Sequence, residues 1–262
     1  MHNLEEKDFQ KILSYKDLLV GNAKKLTRLD PNDDYWKFLV DEKMLMRNGV
    51  FLETNMVTSW IGETRKPKRI LEIGTRTGGS LIALLCVYGK KDLDAVEEII
   101  SFDMWREYVS TTPVSGFISK LVGKKTNINI SEKYTGVISN MIENNATKKV
   151  RNNLNAFSIP SDKIKFISGD SKITVPKYFQ ENPQKKFDYI LVDGGHDELT
   201  AERDLENVAA HAAKGGVIVF DDILPESYNL IGVWNKFKEK YKNDFGFFEI
   251  HHRKGVAWAV KK

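Results

Sequence analysis

Five short apolar runs, each ending at or just before an acidic or glycine residue, constrain the fold of this chain more than any other feature of its sequence. Segments with helical spacing separate the runs. The five runs lie at Arg69–Ile73, Glu98–Asp103, Lys163–Ser168, Phe187–Asp193 and Gly216–Asp221. Strands that alternate with helices form right-handed crossovers and a mostly parallel sheet that is covered on both faces. The sequence therefore predicts an α/β fold.

The pattern after residue 240 differs from this alternation. Phe247–His251 and Val256–Val260 flank a short turn at Arg253-Lys254-Gly255, which predicts a β-hairpin that adds an antiparallel edge to the sheet. With this hairpin the sheet has seven strands. In the helix before the fifth run, Ala201 and Leu205 share one face, and we expect Gly215 to supply the left-handed turn that ends this helix.

The chain divides into a helical extension at residues 1–50 and a main domain at residues 51–262. The extension is predicted from the amphipathic spacing of its first twenty residues. Within the main domain, the interval between Asp103 and Lys163 is far longer than the dozen or so residues that a crossover needs. We expect an insertion at about 104–136, which is either a lid over a ligand site or a surface elaboration without a role.

The charge and cysteine content exclude several classes of protein. The chain has 40 basic and 36 acidic residues and a net charge of +4, a near-balance that argues against a dedicated nucleic-acid binder. The single cysteine, Cys86, excludes a disulfide framework. No run approaches the ~18 apolar residues of a membrane helix. We expect a cytoplasmic protein with neither a nucleic-acid nor a membrane partner, and a homo-oligomer is possible.

Polar residues gather at the predicted carboxyl edge of the sheet. They are Glu72 and Gly74, Asp103, Asp170 and Ser171, Asp193, and the pair Asp221-Asp222. In an open α/β sheet, ligands bind outside this edge. Because so many carboxylates at one edge repel one another, their presence indicates ligands that attract them, namely hydroxyls, an amine and a cation.

The first strand leads into a glycine-rich turn. Gly74, Gly78 and Gly79 surround Arg76, a spacing that differs from the dinucleotide pattern G-x-G-x-x-G. Asp103, at the end of the next strand, is placed to hold both ribose hydroxyls of a nucleoside. The turn and Asp103 together indicate a nucleoside cofactor along the sheet edge.

These motifs resemble the S-adenosylmethionine-dependent class I methyltransferases. The resemblance covers roughly residues 50–260 and rests on Glu72-x-Gly74 with Gly78-Gly79, on Asp103, on Gly169-Asp170-Ser171 and on Asp193-Gly194-Gly195-His196. The later pair Asp221-Asp222 is similar to that of metal-dependent O-methyltransferases, above all those acting on macrolide sugars. Some relatives of this group are cephalosporin-hydroxylase-like. The resemblance implies a Rossmann-like methyltransferase fold.

The resemblance also implies roles for individual residues. The methionine part of S-adenosylmethionine would contact the turn formed by Glu72, Gly74, Thr75, Gly78 and Ser80. Asp103 would bind the ribose, Asp170 and Ser171 would face the adenine, and Asp193 would border the cofactor. Arg76 departs from the family pattern, in which a small residue is common. Trp105 either stacks near the cofactor or packs in the core.

Three carboxylates are candidate metal ligands. Asp193, Asp221 and Asp222 offer oxygen ligands of the kind that suit Mg²⁺, with Mn²⁺ and Ca²⁺ as alternatives. Such an ion would hold two neighbouring oxygens of a substrate. His196, three residues after Asp193, is the candidate general base that activates a hydroxyl. We expect His211, His251 and His252 to be structural.

The predicted activity is methyl transfer from S-adenosylmethionine, assisted by a divalent cation, to a hydroxyl of a small polyhydroxylated acceptor such as a sugar or glycoside. Two alternatives remain at this stage. One is metal-dependent oxidation on the same fold, against which stands the absence of the two histidines of the usual non-haem iron triad. The other is a non-catalytic nucleoside-binding protein, in which the acidic pair and His196 would have no purpose.

Overall fold

Seven strands form one sheet in the computed structural model, which describes residues 5–29, 53–105 and 132–262. The strands are β1 (Arg69–Ile73), β2 (Glu98–Asp103), β3 (Ile164–Ser168), β4 (Phe187–Val192), β5 (Ala212–Asp221), β6 (Phe245–Ile250) and β7 (Val256–Lys261). Their order is 3-2-1-4-5-7-6. The first five strands are parallel, and β7 is antiparallel to both β5 and β6. The predicted mostly parallel, Rossmann-like sheet with an antiparallel hairpin is confirmed.

Nine α-helices accompany the sheet in the described part of the chain. They are α1 (Glu6–Leu13), α2 (Lys16–Leu29), α3 (Glu53–Arg65), α4 (Gly79–Leu85), α5 (Lys90–Asp94), α6 (Glu132–Asn155), α7 (Ser171–Glu181), α8 (Glu198–Ala209) and α9 (Ile231–Tyr241). A single 3₁₀ turn at Ser161–Lys163 precedes β3. Within residues 5–29, 53–105 and 132–262, no helix is both long and apolar enough to span a membrane.

The sheet separates two hydrophobic cores. Because side chains alternate between the faces of a strand, Val217 and Val219 of β5 join one core, while Ile218 and Phe220 join the other. The first core also takes residues from α1, α2, α3, α4 and α6, and the second takes residues from α7, α8 and α9. Strands buried on both faces explain why the sequence shows continuous apolar runs instead of polar–apolar alternation.

The predicted role of Gly215 is wrong. Helix α8 ends at Ala209, with Ala210 in the right-handed region, and β5 begins at Ala212. Gly215 does have a positive φ of 75°, but it lies where the pairing of β4 with β5 shifts register between Phe187 and Tyr189. The left-handed conformation of Gly215 therefore belongs to the register shift in β5 and does not end a helix.

The extension and the insertion remain predictions as domain units. Helices α1 and α2 bury Ile12, Leu19 and Leu26 in the same core as the sheet, while residues 30–52 lie outside the described part of the chain. Residues 106–131, most of the predicted insertion, lie outside it too. Helix α6 begins at Glu132, a few residues before the predicted end of the insertion.

Candidate functional site

A cleft of about 680 Å³ opens at the carboxyl edge of the sheet. The topology places it there, since the crossovers from β1 and from β4 leave in opposite directions and the strand order reverses between these two neighbours. On one side the cleft is lined by Gly74, Asp103 and Asp170, and on the other by Asp193 and His196. The structure thus brings most of the predicted cofactor residues and the predicted base His196 to one cavity, while Glu72 and Gly78 do not line it.

Gly74 lies at the narrowest approach between two strand ends. Its φ is 91°, and a Cβ at this position would collide with the carbonyl oxygen of Asp193. Gly74 N donates to Phe102 O (2.9 Å), and Asp193 N donates to Ile73 O (2.9 Å). Only glycine fits where β1, β2 and β4 are linked this closely.

Glu72 is buried beneath this turn. Its Oε1 accepts a hydrogen bond from Ser80 Oγ, and its Oε2 receives none from any residue in the described ranges. Burial raises the pKa of Glu72 to about 7, against the hydrogen bonds from Ser80 and Thr75 that lower it. Gly78, at φ 84°, is the N-cap of helix α4, which begins at Gly79. The turn therefore offers one buried, unsatisfied carboxylate oxygen.

Asp103 is held rigidly by backbone amides. Its Oδ2 accepts from Arg76 N (2.7 Å) and its Oδ1 from Trp105 N (2.6 Å). Burial raises its pKa, while the amides of Arg76, Trp105, Thr75 and Met104 lower it. Each carboxylate oxygen has a second acceptor position, so the group can still receive two hydroxyl donors.

Trp105 packs in the core while its edge borders the cleft. It is 2% exposed, its Nε1 donates to Ser168 Oγ (2.7 Å), and its ring meets Phe166 edge to face. Its φ of 54° brings its backbone amide to Asp103. Of the two expected roles, the described contacts support packing.

Asp170 and Ser171 line the cleft at the start of α7, but both are engaged. Asp170 caps the helix by accepting from Lys172 N (2.9 Å), and its other oxygen lies 3.2 Å from Lys172 Nζ. Ser171 Oγ donates to Asp204 Oδ2 (2.9 Å). Their backbone and remaining lone pairs are what a ligand could use.

Asp204 is a buried acid that sequence reasoning missed. It is fully buried in α8, and its Oδ1 has no hydrogen-bond partner among the described residues. Burial raises its pKa to about 7, opposed by Ser171 and Lys172. An aspartate next to Leu205 on the apolar face of a helix was the signal that could have found it.

The structure gathers Asp193, His196 and Asp222 into one group. Their ligand atoms all lie within 4.8 Å of one another. His196 Nδ1 is 3.1 Å from Asp222 Oδ2, although the approach is not aligned as a hydrogen bond. Asp222 is 1% exposed, and its Oδ1 accepts from Ser227 Oγ (2.7 Å).

Asp221 lies beside this group with both oxygens engaged. Its Oδ1 accepts from Thr54 Oγ1 (2.6 Å) and from Asp222 N (2.8 Å). Its Oδ2 is 3.4 Å from Lys254 Nζ. The predicted metal ligands are thus neighbours, but the group whose ligand atoms lie within 4.8 Å of one another contains His196 in place of Asp221.

Lys254 is the second residue that sequence reasoning missed. It lies in the turn between β6 and β7, and its Nζ is 2.5 Å from Asp222 Oδ1. Burial lowers its pKa, but Asp221, Asp222 and Asp193 outweigh burial and hold the pKa above its ordinary value. No sequence signal marks Lys254, because only the pairing of Asp221 with Val256 brings this turn to the end of β5.

The pKa values of the three aspartates in this cluster shift in different directions. Loss of solvent raises the pKa of Asp193 well above its usual range, and the carboxylates of Asp221 and Asp222 raise it further. Burial also raises the pKa of Asp221, where Lys254 opposes it. For Asp222, burial acts in the same sense, but His196 and Lys254 bring its pKa below the ordinary value. Asp222 is therefore the carboxylate held most firmly in its charged form.

An aromatic side chain covers His196. The ring of Tyr228 stacks on the imidazole with centroids 3.9 Å apart and planes 5° apart, and Tyr228 is 56% exposed. The stacking fixes the plane of the imidazole. No periodic pattern marked Tyr228, because it lies in an irregular loop before α9.

The three histidines that were predicted to be structural do not line the cleft. His211 stacks on Phe179 (3.5 Å between centroids), His251 pairs with Glu249 (2.6 Å), and His252 pairs with Glu53 (2.9 Å).

The donor set fits a divalent cation. Asp193 and Asp222 supply carboxylate oxygens, the ligands that Mg²⁺ and Mn²⁺ prefer, and His196 supplies a nitrogen. Asp222 Oδ2 is buried and accepts no aligned hydrogen bond within the described ranges. A buried charged oxygen in that state is costly unless a cation or donor satisfies it.

Comparisons with known proteins point to one family. A family model described as "Methyltransferase domain" matches residues 71–223. The fold is similar to the O-methyltransferase of Bacillus cereus in complex with SAH (14% identity, TM-score 0.56, 92% of this chain and 91% of that chain). It is also similar to the SAH-bound methyltransferase PaMTH1 of Podospora anserina (17%, 0.54, 100% and 98%).

A third similar structure is CalS11, a TDP-rhamnose 3'-O-methyltransferase of calicheamicin biosynthesis (18% identity, TM-score 0.52, 92% of this chain and 93% of that chain). At these identities the likeness concerns the fold. No curated protein sequence matches the chain.

Proposed function

This chain belongs to the methyltransferase-domain family, and from that premise we propose that it transfers a methyl group from S-adenosylmethionine to a hydroxyl of a small polyhydroxylated acceptor, a sugar or a glycoside. One observation carries the proposal. Gly74 and Asp103, the residues predicted to bind a nucleoside cofactor, line the same cleft as the group of Asp193, His196 and Asp222.

The cofactor side supports S-adenosylmethionine. Asp103 retains two acceptor positions for the ribose hydroxyls, and Gly74, Thr75 and Ser80 line the part of the cleft proposed for the methionine end. Asp170 and Ser171 border the position proposed for the adenine. Two of the similar structures are described as SAH complexes.

The acidic side supports activation of a hydroxyl. His196 Nδ1 faces Asp222 Oδ2, which leaves Nε2 as the nitrogen that takes the proton of the acceptor. The acceptor oxygen then forms a bond to the methyl carbon while the carbon–sulfur bond breaks, and S-adenosylhomocysteine leaves. Asp222 stabilises the imidazolium that results, as an oriented carboxylate does beside a catalytic histidine.

A divalent cation, Mg²⁺ in this proposal, would be held by Asp193 and Asp222, with Asp221 completing the set and His196 beside it as the base. When bound, such an ion supplies Lewis acidity that makes a hydroxyl easier to deprotonate. The exposed ring of Tyr228 borders the same part of the cleft and gives a flat surface for a sugar ring. The rhamnose derivative named for CalS11 supports the choice of a sugar acceptor.

The test is formation of S-adenosylhomocysteine with a panel of sugars, glycosides and catechols, with Mg²⁺ or with excess chelator. We expect turnover to require the ion and cofactor binding to survive chelation. His196→Ala should lower the rate by about 10²- to 10⁴-fold, the usual range for a lost general base, and leave cofactor affinity unchanged.

A matched control for His196→Ala is His251→Ala, which removes a histidine that lies outside the cleft. Full activity in chelator would contradict the role of the ion, and full activity of His196→Ala would contradict the assigned base. Cofactor binding without product from any acceptor would favour the non-catalytic alternative.

A further inference from the structure

The ammonium group of Lys254 lies between two adjacent carboxylates of the site. Its Nζ is 2.5 Å from Asp222 Oδ1 and 3.4 Å from Asp221 Oδ2. The side chain of Lys254 is 13% exposed, and those of Asp221 and Asp222 are 10% and 1% exposed. A positive charge is therefore already built into the place where two carboxylates would receive a cation.

Hydrogen bonds hold the backbone of this turn in place. Lys254 O accepts from Leu224 N (2.8 Å), and Gly255 N donates to His252 O (2.9 Å). Gly255 has a φ of 70°, and a Cβ there would meet Ile223 and Leu224. The four-carbon stem of lysine is flexible, so the ammonium can leave the carboxylates without movement of the turn.

Coordination distances make it unfavourable for the ammonium group of Lys254 and a divalent ion to contact these carboxylates at the same time. A divalent ion binds carboxylate oxygens at about 2.0–2.6 Å, which is the range in which the ammonium already contacts Asp222. If the ion used the other oxygen of Asp222 together with Asp193, it would still stand within a few ångströms of the ammonium. In either arrangement two positive charges would repel each other inside a largely desolvated site.

We propose that Lys254 and the divalent cation compete for the carboxylates of Asp221 and Asp222, so that the lysine serves as the resident cation of the metal-free site and sets the affinity for the ion. The inference rests on the divalent cation of the proposed function. The lysine prevents the repulsion of Asp193, Asp221 and Asp222 from opening the site when no ion is bound. The same contacts weaken metal binding, since the ion must displace or approach a like charge.

Binding of Mn²⁺ to the purified protein tests this directly, by calorimetry and by the electron paramagnetic resonance signal of the free ion, without cofactor or acceptor. We expect Lys254→Met to bind Mn²⁺ at least about tenfold more tightly than the natural chain. Lys254→Arg, which keeps the charge, should bind within about threefold of it. Lys238→Met is the matched control, because Lys238 forms a partly buried pair with Glu249 on β6.

Thermal unfolding gives a second readout. In chelator, Lys254→Met should melt at a lower temperature than the natural chain, and Mg²⁺ should restore the loss, because the ion replaces the missing charge. Any decrease in the melting temperature of Lys238→Met should be the same with and without Mg²⁺. Lys254→Gln is a second neutral variant for the case in which the methionine variant aggregates.

Equal or weaker Mn²⁺ binding by the neutral variants would overturn the competition, and so would a melting loss that Mg²⁺ leaves unchanged. Absence of Mn²⁺ binding in every variant would overturn it together with the metal part of the proposed function. Methyl transfer measured in chelator then shows whether the rest of the proposed function stands.

Discussion

Asp103 shows how one side chain can be both structural and ready for a ligand. Its oxygens accept from the amides of Arg76 and Trp105, and each retains an acceptor position. We predict that Asp103→Ala weakens S-adenosylmethionine binding by about 10- to 100-fold, the loss of a charge-assisted pair of hydrogen bonds. Asp103→Asn keeps one acceptor oxygen, so its affinity for S-adenosylmethionine should lie between those of the natural chain and Asp103→Ala. Calorimetry measures both, and unchanged affinity in Asp103→Ala would contradict the ribose assignment.

The raised pKa of Asp204 leads to a prediction about how the stability of the protein depends on pH. Its pKa is about 7 in the folded protein and about 3.9 in an unfolded chain, so the folded state binds the extra proton. Its contribution to stability is therefore full below about pH 4 and is lost as the pH rises to about 7. Asp204→Asn, which cannot ionise, should gain on the order of 1–3 kcal/mol relative to the natural chain between pH 5 and pH 8.

Urea unfolding of both proteins across that range checks this prediction. Other buried acids such as Glu72 and Asp193 are present in both proteins, so their effects cancel in the difference. A difference in unfolding free energy that stays constant from pH 5 to pH 8 would contradict the raised pKa.

Single residues could be predicted wherever a strand ends, and less well elsewhere. Asp103, Asp193 and Asp222 were found because period and burial locate strand ends, and parallel strands bring those ends to one edge. Lys254 was missed because its position depends on the non-local pairing of β5 with β7. Tyr228 lies in a loop that has no period to interpret.

At the scale of elements, helix packing gives a paired prediction. Gly62 of α3 faces α4 so closely that a Cβ would collide with the carbonyl oxygen of Leu84, whereas Gly21 of α2 has nothing within 4 Å of its Cβ position. Gly62→Ala should lower the unfolding free energy by about 1–3 kcal/mol through overpacking. Gly21→Ala should raise it by about 0.5–1 kcal/mol through helix propensity.

Denaturant unfolding of the two variants measures these opposite effects. A stabilised Gly62→Ala protein would show that α3 and α4 are not in the contact described here. The central strands β1, β2 and β4 were predicted almost to the residue, because both of their faces are largely buried. The start of β5 was not, since the register shift near Gly215 depends on the neighbouring strand.

For the whole molecule, the strand order determines where the ligands can meet. With β1 between β2 and β4, Met104 and Trp105, directly after β2, line one side of the cleft, and the loops after β4 and β5 line the other. The sequence predicted this division, because alternating strands and helices leave few possible topologies. It could not give the packing of α1 and α2 against the sheet, which amphipathic spacing alone does not direct.

The position of β7 between β5 and β6 imposes an order on synthesis. Strand β6 leaves the ribosome before β7, the strand with which it pairs in the described sheet, so it must wait unpaired until residues 256–261 follow. Asp193, Asp221 and Asp222 are likewise already translated when Lys254 is added. Until residues 254–261 are translated, the chain therefore lacks both the strand that pairs with β5 and β6 and the ammonium group that contacts Asp221 and Asp222.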